Sequence, residues 1–253
     1  MRRARACVMA VLLHLCAPAA GAAEATVAVA ANFLVAMETL ATDFARASGH
    51  TLVLAAGSTG KLYAQIAHDA PYDVFLAADQ ARPAALENGP RAVAGTRFTY
   101  AVGALVLWSR DAALLASDMP AAVLAGPAVR HIAIANPDLA PYGVAAAQTL
   151  DRLGMGARVR DKLVTAQNVG EAYSMVATGN AEVGFVARAS VVDPRHAPGG
   201  SRWDVPPGLH APIRQDAVLL RHGADNPAAR ALLEFLRTPA AAAVMQRHGY
   251  RTE

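Results

Sequence analysis

Three things that often announce a protein's chemistry are scarce in this chain: cysteine, charge and long apolar runs. Cysteine occurs twice, at Cys7 and Cys16. Both lie in an N-terminal stretch where Arg2, Arg3 and Arg5 precede an apolar run over residues 8–15, followed by Ala20-Gly21-Ala22. Basic, then apolar, then small is the order of a secretory leader, here expected over residues 1–23 with cleavage near Ala22 or Ala23. Leu15 stands where a lipoprotein site needs a small residue before Cys16, so the expected product is free and exported. Without the leader the chain has no cysteine, which excludes disulfides and thiolate chemistry. Lys and Arg number 23 against 20 Asp and Glu. Loss of Arg2, Arg3 and Arg5 leaves 20 against 20, so the positive balance belongs to the leader and indicates neither nucleic acid nor a membrane surface as partner. No later segment approaches the roughly 18 uninterrupted apolar residues of a membrane span. The histidines lack the paired spacing of a metal motif.

What remains is an alternation. Apolar runs at residues 27–30, 52–55, 74–77, 104–108, 132–135, 183–186 and 217–220 read as strands. Segments with helical spacing lie between them. In the first, Leu34, Met37, Leu40, Ala41, Phe44 and Ala45 share a stripe and Gly49 stands where a helix should stop. The last helix, over residues 239–248, also runs into a glycine, Gly249. Strands alternating with helices predict α/β architecture with a largely parallel sheet. Residues 192–209, rich in Pro and Gly, read as an exposed loop.

Ligands of open α/β sheets bind beyond the carboxyl ends of the strands. Four strand-to-helix junctions carry small or polar residues: Ala31-Asn32-Phe33, Gly57-Ser58-Thr59-Gly60, Asn136-Pro137 through Pro141-Tyr142-Gly143, and Asn168-Val169-Gly170. Each can present unpaired backbone N–H groups at a positive helix end, and together they can hold an anion without a cationic side chain. For any single junction ordinary capping is the simpler reading, since Asn, Ser and Thr are the preferred N-caps. Two other motifs compete. Lys61 after Gly60 suggests a phosphate loop, but Ala55 and Leu62 stand where that pattern needs Gly and Ser or Thr, so Lys61 reads as a solvated first-turn residue. Ala56-Gly57-Ser58-Thr59-Gly60 fits a relaxed nucleophile elbow, and a secreted serine hydrolase using Ser58 would draw its base from His196, His210, His222 or His248.

A resemblance spans nearly the whole chain after the leader. Ala28-Val-Ala-Ala-Asn32-Phe33, Ser48-Gly-His50, Gly57-Ser-Thr-Gly60 with Tyr63-Ala-Gln-Ile66, Ala70-Pro-Tyr-Asp-Val-Phe75 and Ala77-Ala-Asp-Gln80 resemble the periplasmic molybdate-binding proteins of ABC transporters. So do Arg97-Phe-Thr-Tyr-Ala-Val-Gly103, Leu105-Val-Leu-Trp108, Ala133-Ile-Ala-Asn-Pro137 with Ala140-Pro-Tyr-Gly143, and Gly184-Phe-Val-Ala187. The resemblance implies the type II periplasmic binding protein fold: two α/β lobes joined by two crossover segments, with the ligand in the cleft. Lobe I is expected at residues 24–102 plus 213–253 and lobe II at 103–212.

By the same resemblance Asn32, Thr59, Tyr142 and Val169 match oxyanion contacts, with Ser58 and Ala31 beside them. The Asn32 amide, the Ser58 or Thr59 hydroxyl and backbone N–H groups are expected to bond the oxygens of molybdate or tungstate. Tyr142 would add its N–H, its hydroxyl or both, and Val169 its N–H alone. The metal is held through its oxygens, with no direct metal-ion ligand, no cofactor and no catalysis. The implied partners are membrane permease and ATPase subunits, the implied location is the periplasm, and the chain is expected to be a monomer. Ser is common in the family at positions 32 and 59, Ala at 142, and Tyr near 186–187. The Asn-plus-Tyr142 pair resembles a subgroup in which one tyrosine substitutes for the other. Sulfate or thiosulfate is the alternative ligand, because a donor-only site rejects protonated phosphate but excludes sulfate only by size.

Overall fold

The computed structural model describes residues 21–117, 119–192 and 199–252. The expected leader lies almost wholly outside them, as does His196. The chain first lays down β1 (Glu24–Ala30), α1 (Leu34–Ser48), β2 (Thr51–Gly57), α2 (Thr59–Ala67), β3 (Val74–Leu76), α3 (Ala81–Glu87) and β4 (Phe98–Gly103). It then builds β5 (Leu105–Ser109), α4 (Pro120–Ala125), β6 (Ile132–Ala135), α5 (Pro141–Arg152), β7 (Leu163–Ala166), α6 (Val169–Ala177), β8 (Val183–Ala187), α7 (Ala189–Val192) and β9 (Ser201–Asp204). Finally come β10 (Ile213–Leu219), α8 (Pro227–Leu236) and α9 (Pro239–Arg247).

Two five-stranded sheets result, in the orders β2-β1-β3-β10-β4 and β7-β6-β8-β5-β9. The chain passes from the first to the second through Ala104 and returns between β9 and β10. The apolar stripe of α1 packs with α8 and α9 on one face of the first sheet, joining Phe33, Met37, Leu40, Phe44, Leu232 and Met245 in one core. Leu62 and Ile66 of α2 cover the other face. In the second sheet α5 covers one face with Tyr142, Ala146 and Leu150, and α6 covers the other with Ala172 and Val176. Both faces of the central strands are therefore buried, which is why they read as unbroken apolar runs rather than alternating ones. Gly49 ends α1 with φ 73°, the left-handed conformation glycine supplies at least cost.

All seven apolar runs fall on strands, but the largely parallel sheet needs correction. β10 runs antiparallel to β3 and β4, and β5 runs antiparallel to β8 and β9. Each arrives directly from the other sheet, entering at the end where its neighbours finish, so it must run against them. The stretch over residues 192–209 also departs from a plain loop. It contains β9, an edge strand paired with β5 through Leu107 and Trp203, and a 3-10 turn at Pro207–Leu209. Four strand residues among many Pro and Gly give too short a pattern to show in sequence.

Register at the far end of the first sheet depends on Asp73, 4% exposed. Its carboxylate accepts the Thr26 N–H at 2.7 Å and lies 2.9 Å from the His222 ring, while the backbone N–H of Asp73 donates to Thr26 O at 2.8 Å. Asp73→Ala leaves the part-buried Thr26 N–H without its charged acceptor and should cost about 2 kcal/mol. A lower urea midpoint at unchanged slope is the expected result, with ligand affinity unaffected because Asp73 lies at the opposite end of β1 from Asn32. An unchanged midpoint would contradict this account of register.

Candidate functional site

β1, β2, β6 and β7 all run parallel to their neighbours and end at the same gap between the sheets. Each hands over there to a helix: β1 to a 3-10 turn at Ala31–Phe33 leading into α1, β2 to α2, β6 to α5 and β7 to α6. Contacts across the gap place the four starts side by side. The Gly60 N–H in the first turn of α2 donates to Leu139 O, just before α5, at 2.8 Å. Gly170 in the first turn of α6 faces Ala31 so closely that a side-chain carbon there would lie 3.7 Å from the Ala31 Cβ. Ala30 and Ala78 from the first sheet share one apolar cluster with Ala140, Tyr142 and Val169 from the second.

This gap is where the structure puts the residues singled out in sequence. Asn32, Ser58, Thr59, Tyr142 and Val169 are 1–5% exposed, and Ala31 is half-buried. Helix geometry leaves the first N–H groups without intrahelical acceptors. Some are satisfied locally: Ser58 Oγ caps Lys61 N at 3.3 Å, and Asn168 Oδ1 caps Glu171 N at 3.0 Å. Capping thus accounts for the Asn168 side chain and for one lone pair of Ser58. The Ser58 hydroxyl keeps its proton to donate elsewhere, and so does Thr59, whose Oγ1 accepts from Ala78 N at 3.1 Å. The backbone N–H groups of Thr59, Tyr142, Val169 and Gly170 find no acceptor among the described residues. Neither the turn at Asn32 nor α5 carries a capping side chain; their caps are Ala30 and Ala140.

The Asn32 side chain behaves differently from expectation, and the Tyr142 hydroxyl takes a defined place. Both N–H bonds of the Asn32 amide are directed inside the protein, to Gln215 Oε1 at 2.9 Å and Tyr250 Oη at 3.2 Å. The Tyr250 hydroxyl in turn donates to Asn32 O at 2.5 Å. The Asn32 side chain is thus tied within the protein rather than turned to the gap. Tyr142 sends its hydroxyl across to the first sheet, directly over Gly103 and beside Gln215, where it meets no hydrogen-bond partner. Burial pushes this phenol well above its usual range, and the nearby Tyr250 hydroxyl adds to the shift while the Gln215 and Asn32 amides oppose it. Tyr142 thus stays neutral throughout the physiological range.

Among the described residues no cationic side chain stands at the centre of the site. Lys61 is exposed, as the solvated reading required. Arg82 and Arg214 stand at the rim, where Arg82 pairs with Asp79 at 2.5 Å and donates to Asp138 O across the gap at 3.2 Å. Sequence reasoning missed Arg82, Gln215, Tyr100 and Tyr250. They come from α3, β10, β4 and the C-terminal segment, and no local spacing ties any of them to the junctions. Among the described residues no cluster of His, Cys, Asp or Glu could hold a metal ion. Nor do the described candidates assemble a hydrolase triad. Ser58 Oγ has one partner, Lys61 N, while His222 lies against Asp73, His210 against Ala211 O and His248 against Thr39.

A family described as bacterial extracellular solute-binding protein matches residues 25–251. The molybdate-binding protein ModA of Azotobacter vinelandii is 49% identical over 96% of both chains, and that of Rhodobacter capsulatus is 47% identical over 99% of this chain and 97% of its own. The chain belongs to the bacterial extracellular solute-binding proteins, and within them to the ModA family. The solved structure of the Azotobacter vinelandii periplasmic molybdate-binding protein superposes with a TM-score of 0.86 at 41% identity, covering 90% of this chain and 99% of that one. The two-lobed α/β fold expected from the sequence is therefore the fold of this ModA-family chain.

At Gly60 the backbones of the two lobes come close together. A Cβ there would stand 2.9 Å from Leu139 O and 3.1 Å from Leu139 Cα, both main-chain atoms that cannot swing aside. Gly60→Ala should therefore oppose closure at a cost of roughly 1–3 kcal/mol, or about 5- to 150-fold in affinity for the molybdate that its relatives are named for. The loss should appear mainly as faster dissociation in stopped-flow measurements. Wild-type affinity in this variant would show that the lobes do not need to meet at Leu139.

Proposed function

We propose that this chain captures molybdate, and tungstate as its size match, and delivers it to an ABC transporter. The observation that carries the reading is the convergence of four helix starts on one buried gap, where the described residues supply neither acceptors for the first backbone N–H groups nor a cationic side chain at the centre. Relatives about half identical over nearly their whole length carry the name molybdate-binding protein. The oxyanion is held by its oxygens. The N–H groups of Asn32, Thr59, Tyr142 and Val169 donate to it, with the Ser58 and Thr59 hydroxyls adding side-chain donors and Ala31 lining the wall. Lobe I comprises residues 24–102 plus 213–253 and lobe II residues 103–212, so that Ser58, Thr59 and Asn32 reach the anion from one side and Tyr142 and Val169 from the other.

A dianion in such a cage gains several charge-assisted hydrogen bonds, each worth about 1.5–3 kcal/mol. The cage offers the ligand mainly donors, its hydroxyls already accepting from Lys61 N and Ala78 N, which disfavours phosphate, because that ion still carries a proton near neutral pH. Sulfate carries no proton and is discriminated by size alone. Release depends on reopening, and the closed form presents the two lobes in one geometry to a permease whose ATPase supplies the energy. The chain acts as a monomer after loss of its leader in the periplasm and performs no catalysis.

Isothermal titration of the leaderless protein with molybdate, tungstate, sulfate and phosphate tests the reading. Tight one-to-one binding of the first two, with no heat from the others, is expected. Ser58→Ala should weaken molybdate roughly 10- to 150-fold through loss of one charge-assisted bond. Equal binding of sulfate would shift the reading to a general oxyanion carrier. The same titration across pH 6 to 9 should give a flat affinity. Tyr142 is the one titratable group in the cage, and its raised pKa keeps it in the neutral, donating form throughout. A fall in affinity over that range as pH rises would contradict the placement of the phenol.

A further inference from the structure

Behind the cage lies a buried polar knot formed by Asn32, Tyr100, Tyr142, Gln215 and Tyr250, none more than 4% exposed. Gln215 is at its centre, fully buried on β10. Its strand pairs Gln215 with Ala101 and Asp216 with Thr99, so Tyr100 is an extra residue bulged out of β4. The bulge aims Tyr100 Oη at Gln215 Oε1, 3.1 Å away, and at Ala77 O, 3.2 Å away. Gln215 Oε1 thereby receives the Asn32 amide and faces the Tyr100 hydroxyl. This fixes which end of the amide is oxygen, because the reverse orientation would set N–H against N–H.

The consequence is a directed donor. Gln215 Nε2 points toward the other lobe and has no acceptor among the described residues. The polar atom beside it over Gly103 is the Tyr142 hydroxyl, which is also without a partner. Two buried unpaired groups from opposite lobes, side by side, ask to be read as a pair. A tyrosine hydroxyl oxygen that accepts an N–H must send its own proton elsewhere.

We propose that Gln215 is a positioning residue for the oxyanion site, holding the Asn32 tether through Oε1 and donating from Nε2 to Tyr142 Oη, so that the tyrosine O–H is directed to the bound anion. The proposal rests on the reading of the gap as an oxyanion cage. It deepens that reading by giving the Tyr142 hydroxyl a direction and lobe closure a polar register. Each bond in the series, from Tyr100 through Gln215 to Tyr142, polarises the next. The groups facing Gln215 do not titrate near neutrality: burial raises the pKa of Tyr100 on β4, Tyr142 on α5 and Tyr250 near the C-terminus. Asp216, next on β10, is held by Arg97 at 2.5 Å and Thr99 at 2.7 Å, Asp79 is held by Arg82, and Arg214 is exposed.

Gln215→Glu reverses the polarity at one atom while keeping the shape. As a carboxylate, residue 215 accepts the Tyr142 proton, withdraws it from the anion and adds a like charge behind the cage. As a carboxylic acid it can donate as the amide did. Molybdate affinity measured by titration calorimetry from pH 5.5 to 8.5 should therefore be flat for the wild type. For Gln215→Glu it should be at least ~100-fold weaker at pH 8.5, and it should recover toward wild type as pH falls, with uptake of one proton on binding. A purely structural role would change thermal stability but leave the pH profile of binding flat, and that outcome overturns the proposal. If Gln215→Glu fails to fold, Gln215→Met carries the test in a cycle with Tyr142→Phe. Each single change should weaken binding about tenfold or more and the double change no further, whereas additive losses overturn the proposal. Failure of the wild type to bind molybdate would instead bring down the cage reading and the proposal with it.

Discussion

A doubly charged anion taken out of water needs compensation, and the proposed cage supplies it without a salt bridge. A helix N-terminus carries roughly half a positive charge on its unpaired N–H groups. Four such ends converge on the gap, together about the charge of a dianion with opposite sign. Empty, the same four ends repel one another across the gap. Filled, they are drawn together. Binding and closure are in this account one electrostatic event, because the ligand supplies the counter-charge that lets the lobes meet. The Gly60 bond to Leu139 O and the Arg82 bond to Asp138 O are made where the two lobes touch.

The rest of the fold follows from bringing those four ends to one place. Parallel strands put successive helix starts on the same edge of a sheet, so each lobe contributes two. Joining two such sheets edge to edge requires the chain to cross twice, and each crossing brings a strand in from the cleft side. That is the physical origin of antiparallel β5 and β10, and β10 in turn places Gln215 at the cleft edge beneath Asn32. Missing caps fit the same logic. Ala30 and Ala140 precede helix starts that a Ser or Asn would otherwise satisfy, leaving their N–H groups unpaired.

Legibility from the sequence followed the range of the interactions. Strands buried on both faces are continuous apolar runs, so seven of the ten strands were visible; β4, whose first residues are only half-buried, β7, with an exposed Thr165, and the short edge strand β9 were not. The four junctions were visible because cap and first-turn residues are local chemistry. Their convergence was not, since nothing in the spacing of Ser58 and Val169 says they share a gap, and only resemblance over the whole chain supplied that. The direction of the Asn32 amide was hidden for the same reason: its partners Gln215 and Tyr250 stand 183 and 218 residues away. Local pattern could identify Asn32 as a site residue but could not separate its backbone role from its side-chain role.

The most direct test of a charge-free cage is a crystal structure of the protein grown with molybdate, with anomalous differences collected at the molybdenum edge. The account predicts one strong peak enclosed by Asn32, Ser58, Thr59, Tyr142 and Val169, with backbone N–H groups and hydroxyls around the anion. No Lys or Arg side chain should lie within hydrogen-bonding reach of it. A peak elsewhere, or an anion held by the guanidinium of Arg82, would contradict it.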